Sequence, residues 1–157
     1  MELLARHLAG PDSLVEFFSA GIHGFVDRPM DDIMATTLLP RGIVGAGSFR
    51  SRPLTGELIE RADLVLTAET AHRSFILDEH PASFRTVFTL GQFVNATRGV
   101  APTLHGRPLL AEVGQHRGLA DPTMDVSDPF RQGLEAAAMT ADRIERLLHA
   151  ALPALST

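Results

Sequence analysis

Apolar residues arrive in short bursts along this chain, and their spacing switches between helical and strand-like periods. Leu4 and Leu8 share a helical face with Leu3 beside them, and Gly10-Pro11 stops the run, so a helix is expected over residues 1–9. Leu14-Val15-Glu16-Phe17-Phe18 reads as a strand ending at Ser19-Ala20-Gly21. Residues 29–39 read as a helix, with Pro29 near its first position, Asp31 and Asp32 in its first turn, and Gly42 closing it. The glycine-rich run from Gly42 to Gly47 reads as a flexible turn. Thr55 is placed to cap a short helix carrying Leu58, Ile59 and Ala62. Residues 63–67 form a continuous apolar run of strand length, the pattern of a buried parallel strand. A helix over 69–79 and a strand over 86–90 follow. Residues 97–124 are rich in Gly, Pro and Thr and read as one long loop. The last helix is expected from Pro129 to Ala150, with Leu134, Ala137, Ala138, Ala141, Ile144 and Leu148 along one stripe.

Strands alternating with helices predict a three-layer α/β/α domain around a parallel sheet. Residues 1–150 would be that single domain and 151–157 a frayed tail. Three strands make a thin sheet, which points to a missing element.

Composition narrows the functions. With 45% apolar residues the 157-residue chain can bury a core. A net charge of −5 argues against a general nucleic-acid binder. No apolar run approaches a membrane span, and the N-terminus lacks a signal peptide's basic start and long apolar stretch, so a cytoplasmic protein without membrane contact is expected. There is no cysteine, which removes disulfides, thiolate metal sites and any cysteine nucleophile. None of the seven histidines has H-E-x-x-H spacing, so no metal and no cofactor are expected.

Asp128 is the first candidate for chemistry. An Asp before Pro129 is a common way to begin a helix. The same carboxyl group at a loop–helix junction is also suited to protonating a leaving group. Ser19-Ala20-Gly21 reads on its own as a strand ending in a turn, and Arg50 and Arg52 as part of a solvated loop.

Taken in order, Ser19-Ala20-Gly21, Ser51-Arg52-Pro53-Leu54-Thr55, Ala62-Asp63-Leu64-Val65-Leu66-Thr67 and Asp125-Val126-Ser127-Asp128-Pro129-Phe130 resemble the low-molecular-weight protein tyrosine phosphatases, most closely actinobacterial-type members. The resemblance covers nearly the whole chain. It implies hydrolysis of phosphotyrosine or a related phosphomonoester through a phosphocysteine intermediate. In that scheme Asp128 is the general acid, Pro129 supports the helix start, and Phe130 is an aromatic wall in place of the more usual Tyr. Ser19 would support the phosphate loop, and Phe25 would line the substrate pocket unless it is a core anchor. Two positions depart from the family's usual pattern. Ile22 stands where Thr is usual, and Phe49 stands where a supporting His is frequent.

The family's C-x5-R-[ST] phosphate loop is absent, and so is the interior strand before it. Together they amount to about fifteen to twenty residues at ordinary strand length. Residues 1–9 resemble the helix that follows that loop. Loss of an interior strand would leave two open edges, so low stability and self-association are expected. The chain as it stands is expected to be inactive, with the alternative that it is a pseudophosphatase acting as a binding or regulatory module. An arsenate reductase of related fold would need several cysteines.

Overall fold

The computed structural model describes residues 1–43 and 45–156. Its centre is a pair of parallel strands, β1 (Val65–Thr67) and β2 (Val87–Thr89), with Val65 opposite Val87, Leu66 opposite Phe88 and Thr67 opposite Thr89. Strand side chains alternate between faces, and each face here meets helices. Val65 and Val87 pack with Ile59 of α3 (Gly56–Arg61) and Ile76 of α4 (Thr70–Glu79). Leu66 and Phe88 face the larger cluster, with α1 (Glu2–Ala9), α5 (Leu90–Thr97), α6 (Gly106–Gln115) and α7 (Gly133–Leu155) around it. The remaining helix, α2 (Asp32–Leu38), packs against α7. The architecture is an α/β fold whose parallel sheet is flanked by helices.

Local chemistry sets the helix ends. The Asp31 carboxylate accepts from Ile33 N and Met34 N, which makes Asp31 the cap of α2. Thr55 and Thr89 cap α3 and α5 through their hydroxyls. Gly42, at φ 74°, takes the left-handed conformation that ends the α2 region.

Four expectations are corrected. Residues 14–18 form no strand, because a strand needs a ladder partner and none stands beside them. Only the parallel bridge Gly21–Pro53 ties the segment's end to a neighbour. The segment 97–124 is not one loop. It contains α6, whose Leu109 and Val113 are buried against the core, and apolar periodicity through Leu109, Leu110 and Val113 outweighs the surrounding Gly and Pro. Helix α7 begins at Gly133 with Gln132 as its cap, so Asp128 is not a helix cap. At its far end α7 continues to Leu155, because Ala151 and Leu152 are buried in the core. Residues 151–155 are therefore not a frayed tail. The turn expected over 42–47 is a 3-10 turn from Gly45, with Val44 outside the described residues, as is Thr157.

A second anchor holds the segment after α6. The Arg117 guanidinium lies between the rings of Phe84 and Phe88, 4.3 and 4.2 Å from their centroids, and donates to Val87 O at 2.7 Å. Burial, and then the charge of Arg73, draw its pKa down to about 10. Beyond it, Gly91 in α5 touches the next loop. A Cβ there would stand 2.7 Å from both Met124 Cβ and Met124 O. Gly91→Ala is expected to push residues 121–128 outward and cost about 1–3 kcal/mol, as overpacking does. Urea denaturation followed by circular dichroism checks the cost.

Candidate active site

The carboxyl-terminal end of β1 is where the candidate groups gather. Val126, buried, donates its N–H to Ala68 O at 2.9 Å, laying the loop before α7 across the end of the strand. Asp125 then grips the start of α4. Its two oxygens accept from Thr70 N and Thr70 Oγ1, each at 2.9 Å. These bonds satisfy a donor at a helix start and fix the loop at the same time.

Asp128 is exposed, and two contacts orient it. Its Oδ1 accepts from Phe130 N at 3.0 Å in a tight turn, and its own N–H donates to Glu69 Oε1 at 3.3 Å. The other Glu69 oxygen lies 3.8 Å from His72 Nε2. Pro129 sits within the turn, and Gln132 Nε2 donates to Asp128 O at 2.7 Å. Phe130 is 52% exposed, with the Arg131 guanidinium 5.2 Å from its ring centroid. The Asp128 carboxyl group is thus held at the surface.

Next to this corner opens a cavity of about 1310 Å³. Met1, Ser19, Phe25, Thr67, Ala68 and His72 are among the residues around it. Ser19 Oγ donates to Glu2 Oε2 at 2.5 Å, so the expected support residue meets the start of α1. Phe25 is 73% exposed, which places it on the rim and not in the core. The loop bearing it is sewn to residues 51–54. Gly21 N donates to Arg52 O and Leu54 N to Gly21 O, and Ser51 Oγ donates to Phe25 O. Gly24 has no room for a side chain there, since a Cβ would stand 2.4 Å from Pro53 Cα. Phe49 also borders the cavity, and Ile22 packs against the smaller core cluster.

The structure therefore brings Ser19 and Phe25 to one cavity. Asp128 and Phe130 do not border it; Asp128 joins it through Glu69, whose neighbours Ala68 and His72 do. Neither Glu69 nor His72 stands out in the sequence as a site residue. The available signal was their place at the strand-to-helix junction after an apolar run. Among the described residues no three His, Asp or Glu side chains gather as metal ligands. No described helix is long and apolar enough to cross a membrane.

The amino group of Met1 is buried although the residue as a whole is 40% exposed. Burial lowers its pKa below the ordinary value of 8.0, with the Glu2 carboxylate opposing in part. A cation whose folded pKa is depressed costs stability while protonated. Stability should thus rise with pH from the lowered value up to about 8, where the unfolded amine also loses its proton. Nα-acetylation is expected to abolish that rise, as thermal melts across pH would show.

A parallel sheet clad in helices, with a cavity at the strand ends, is the architecture that the small phosphatases among its structural neighbours share. The family model described as low molecular weight phosphotyrosine protein phosphatase matches residues 1–105, and the chain belongs to this family. The probable low molecular weight protein-tyrosine-phosphatase EpsP of Ralstonia nicotianae is 28% identical over 151 residues, 96% of this chain and 81% of EpsP. The protein-arginine-phosphatase of Bacillus subtilis is 31% identical over 98 residues, 62% of this chain and 49% of that protein. Among solved structures, YwlE arginine phosphatase from Geobacillus stearothermophilus superposes with a TM-score of 0.72 at 25% identity, covering 97% of this chain and 79% of that one. A cysteine-to-serine variant of YwlE arginine phosphatase with a phosphorylated active-site serine gives 0.73 at 27% identity, covering 97% and 82%.

Proposed function

We propose that residues 1–157 carry the general-acid side of a low-molecular-weight phosphatase and do not turn over substrate alone. The observation that carries this reading is Asp128. Its turn is pinned to the end of β1 beside a cavity bordered by Ser19 and Phe25, on a chain without cysteine. The substrate class is a phosphotyrosine protein or small phosphomonoester. The arginine-phosphatase neighbours add phosphoarginine to it.

In this reading a thiolate from outside residues 1–157 attacks phosphorus and the bond to the leaving atom breaks. Asp128 delivers its proton to that atom. Water then attacks the thiophosphate with Asp128 as base, returning thiolate and releasing inorganic phosphate. Phe130 and Phe25 offer aromatic walls for the substrate, and Ser19 steadies the start of α1. The reading also expects a cytoplasmic protein that self-associates through its open sheet edges.

A second reading is a pseudophosphatase that binds without turnover. Phe49 and Ile22 favour it, because neither can make the polar contact usual in the family. The test compares phenyl phosphate hydrolysis by residues 1–157 with that by the same residues preceded by a strand and a C-x5-R loop. Activity in the second protein alone supports the first reading. Inactivity in both, with the joined protein folded, supports the second.

A further inference from the structure

The turn that bears Asp128 has few bonds to the rest of the fold. Before it, Val126 N donates to Ala68 O; after it, α7 starts at Gly133. Between these anchors, the bonds from Phe130 N to Asp128 Oδ1, from Gln132 Nε2 to Asp128 O and from Gln132 N to Pro129 O all stay inside the turn. Arg131 sits at φ 62°, a left-handed conformation that is strained for a residue with a Cβ. A turn of this kind keeps its shape only where the surroundings hold it. Among the described residues, one hydrogen bond ties residues 127–132 to another element. It runs from Asp128 N to Glu69 Oε1.

Glu69 is fitted to this task by its place at the cap of α4. A short Ser, Thr, Asp or Asn there would ordinarily bond the first N–H groups of the helix. The Glu69 side chain makes no such bond, and Asp125 supplies the acceptors for Thr70 N and Thr70 Oγ1 instead. The Glu69 carboxylate is thereby left for a donor outside the helix. Its backbone is a firm mount, because the hydroxyl of buried Thr67 and the N–H of Arg73 both donate to Glu69 O. Its second oxygen lies 3.8 Å from His72 Nε2, beyond hydrogen-bond reach, so no other described donor competes for the carboxylate. We propose that Glu69 is the positioning residue of the acid turn. Its carboxylate holds the Asp128 backbone, and through it the Asp128 carboxyl group, at the end of β1. Glu69 meets the backbone N–H of Asp128, not the reacting atoms. The consequence for catalysis rests on the phosphatase reading, whereas the positioning can be measured without turnover.

Backbone amide relaxation of the 157-residue protein, measured by NMR, reads the positioning. Asp128 should have an order parameter near ~0.85, as rigid backbone does, and fall below ~0.6 in Glu69→Ala. Thr70 and Val126, held by Asp125 and Ala68, should keep theirs. Glu69→Gln has an amide oxygen that can still accept, so Asp128 should remain rigid in that variant. In the protein preceded by a strand and a C-x5-R loop, Glu69→Ala should lower kcat for phenyl phosphate by ~10–10²-fold with KM little changed, as misplacement of a catalytic group does. Glu69→Gln should recover most of that loss. On an Asp128→Asn background, Glu69→Ala should cost nothing further, because both residues serve one proton transfer. An Asp128 that is equally ordered in the wild type and in Glu69→Ala would overturn the proposal. Equal loosening of Thr70 would also overturn it, by placing the damage in α4. So would an undiminished kcat loss on the Asp128→Asn background, which would make Glu69 act independently of the acid. Failure of the phosphatase reading is a different result, a joined protein that is folded and inactive without any substitution, and the relaxation data then decide the positioning by themselves.

Discussion

Asp128→Asn is expected to lower kcat by ~10²–10⁴ in a form of the protein that carries the nucleophile, the range for loss of general acid catalysis. Asn keeps an oxygen that can accept from Phe130 N, so the turn survives and only the transferable proton is lost. The size of the effect should follow the leaving group. Phenyl phosphate, whose phenolate needs a proton to leave, should show the full loss. An aryl phosphate with a strongly electron-withdrawing ring should show much less. The alkaline fall of the wild-type kcat profile, set by loss of the acid's proton, should flatten in the variant. A uniform loss across leaving groups would indicate damage to the turn instead of a missing proton. Asp125→Asn gives the contrast. It disturbs the grip on Thr70 and should act on every substrate alike.

The parts of the fold legible in the sequence are those where local and tertiary preferences agree. Thr55 caps α3 and the apolar run over 63–67 contains β1, because both signals are short-range and the core reinforces them. Residues 14–18 carry the same strand signal, yet strand structure is a property of pairs and their partner is not among the described residues. Helix α7 was legible in its stripe from Ala137 to Leu148, but not at Leu134, which is exposed, nor in its ends. Asp128-Pro129 imitates a helix start, while the Asp128 carboxylate spends its acceptor on Phe130 N and the helix waits until Gly133. Helix α6 was hidden by the Gly and Pro around it and is held by burial of Leu109 and Val113. At the site, Ser19, Phe25 and Asp128 could be named from motif resemblance. Glu69 could not, since its link to Asp128 spans 59 residues of sequence and exists only once β1 and the loop before α7 meet.

Phe88→Ala is expected to cost about 3–5 kcal/mol, the range for removing a buried phenyl ring. Phe88 is 1% exposed at the centre of β2, and its ring meets that of Phe93 edge-on at 5.8 Å between centroids. It also forms one wall of the slot that holds the Arg117 guanidinium. Arg117 Nη2 donates to Val87 O and Gln92 Oε1, but Nε and Nη1 are buried without a hydrogen-bond partner, so the two rings supply much of what stands against that charge. Removing one ring deletes apolar contacts and an attraction worth ~0.5–2 kcal/mol. It also lets water reach a cation whose desolvation is now a cost, which offsets part of the loss. A domain of this size has about 5–15 kcal/mol to lose, and a sheet with an unpaired edge belongs at the lower end. The variant should therefore be largely unfolded at 37 °C, as urea and thermal melts would show. Phe88→Leu, which keeps the apolar volume but not the aromatic face, should recover more than half of the stability. A Phe88→Ala loss below about 1.5 kcal/mol would mean that β2 is not the centre of the core, because large-to-small changes at well-packed sites exceed that value.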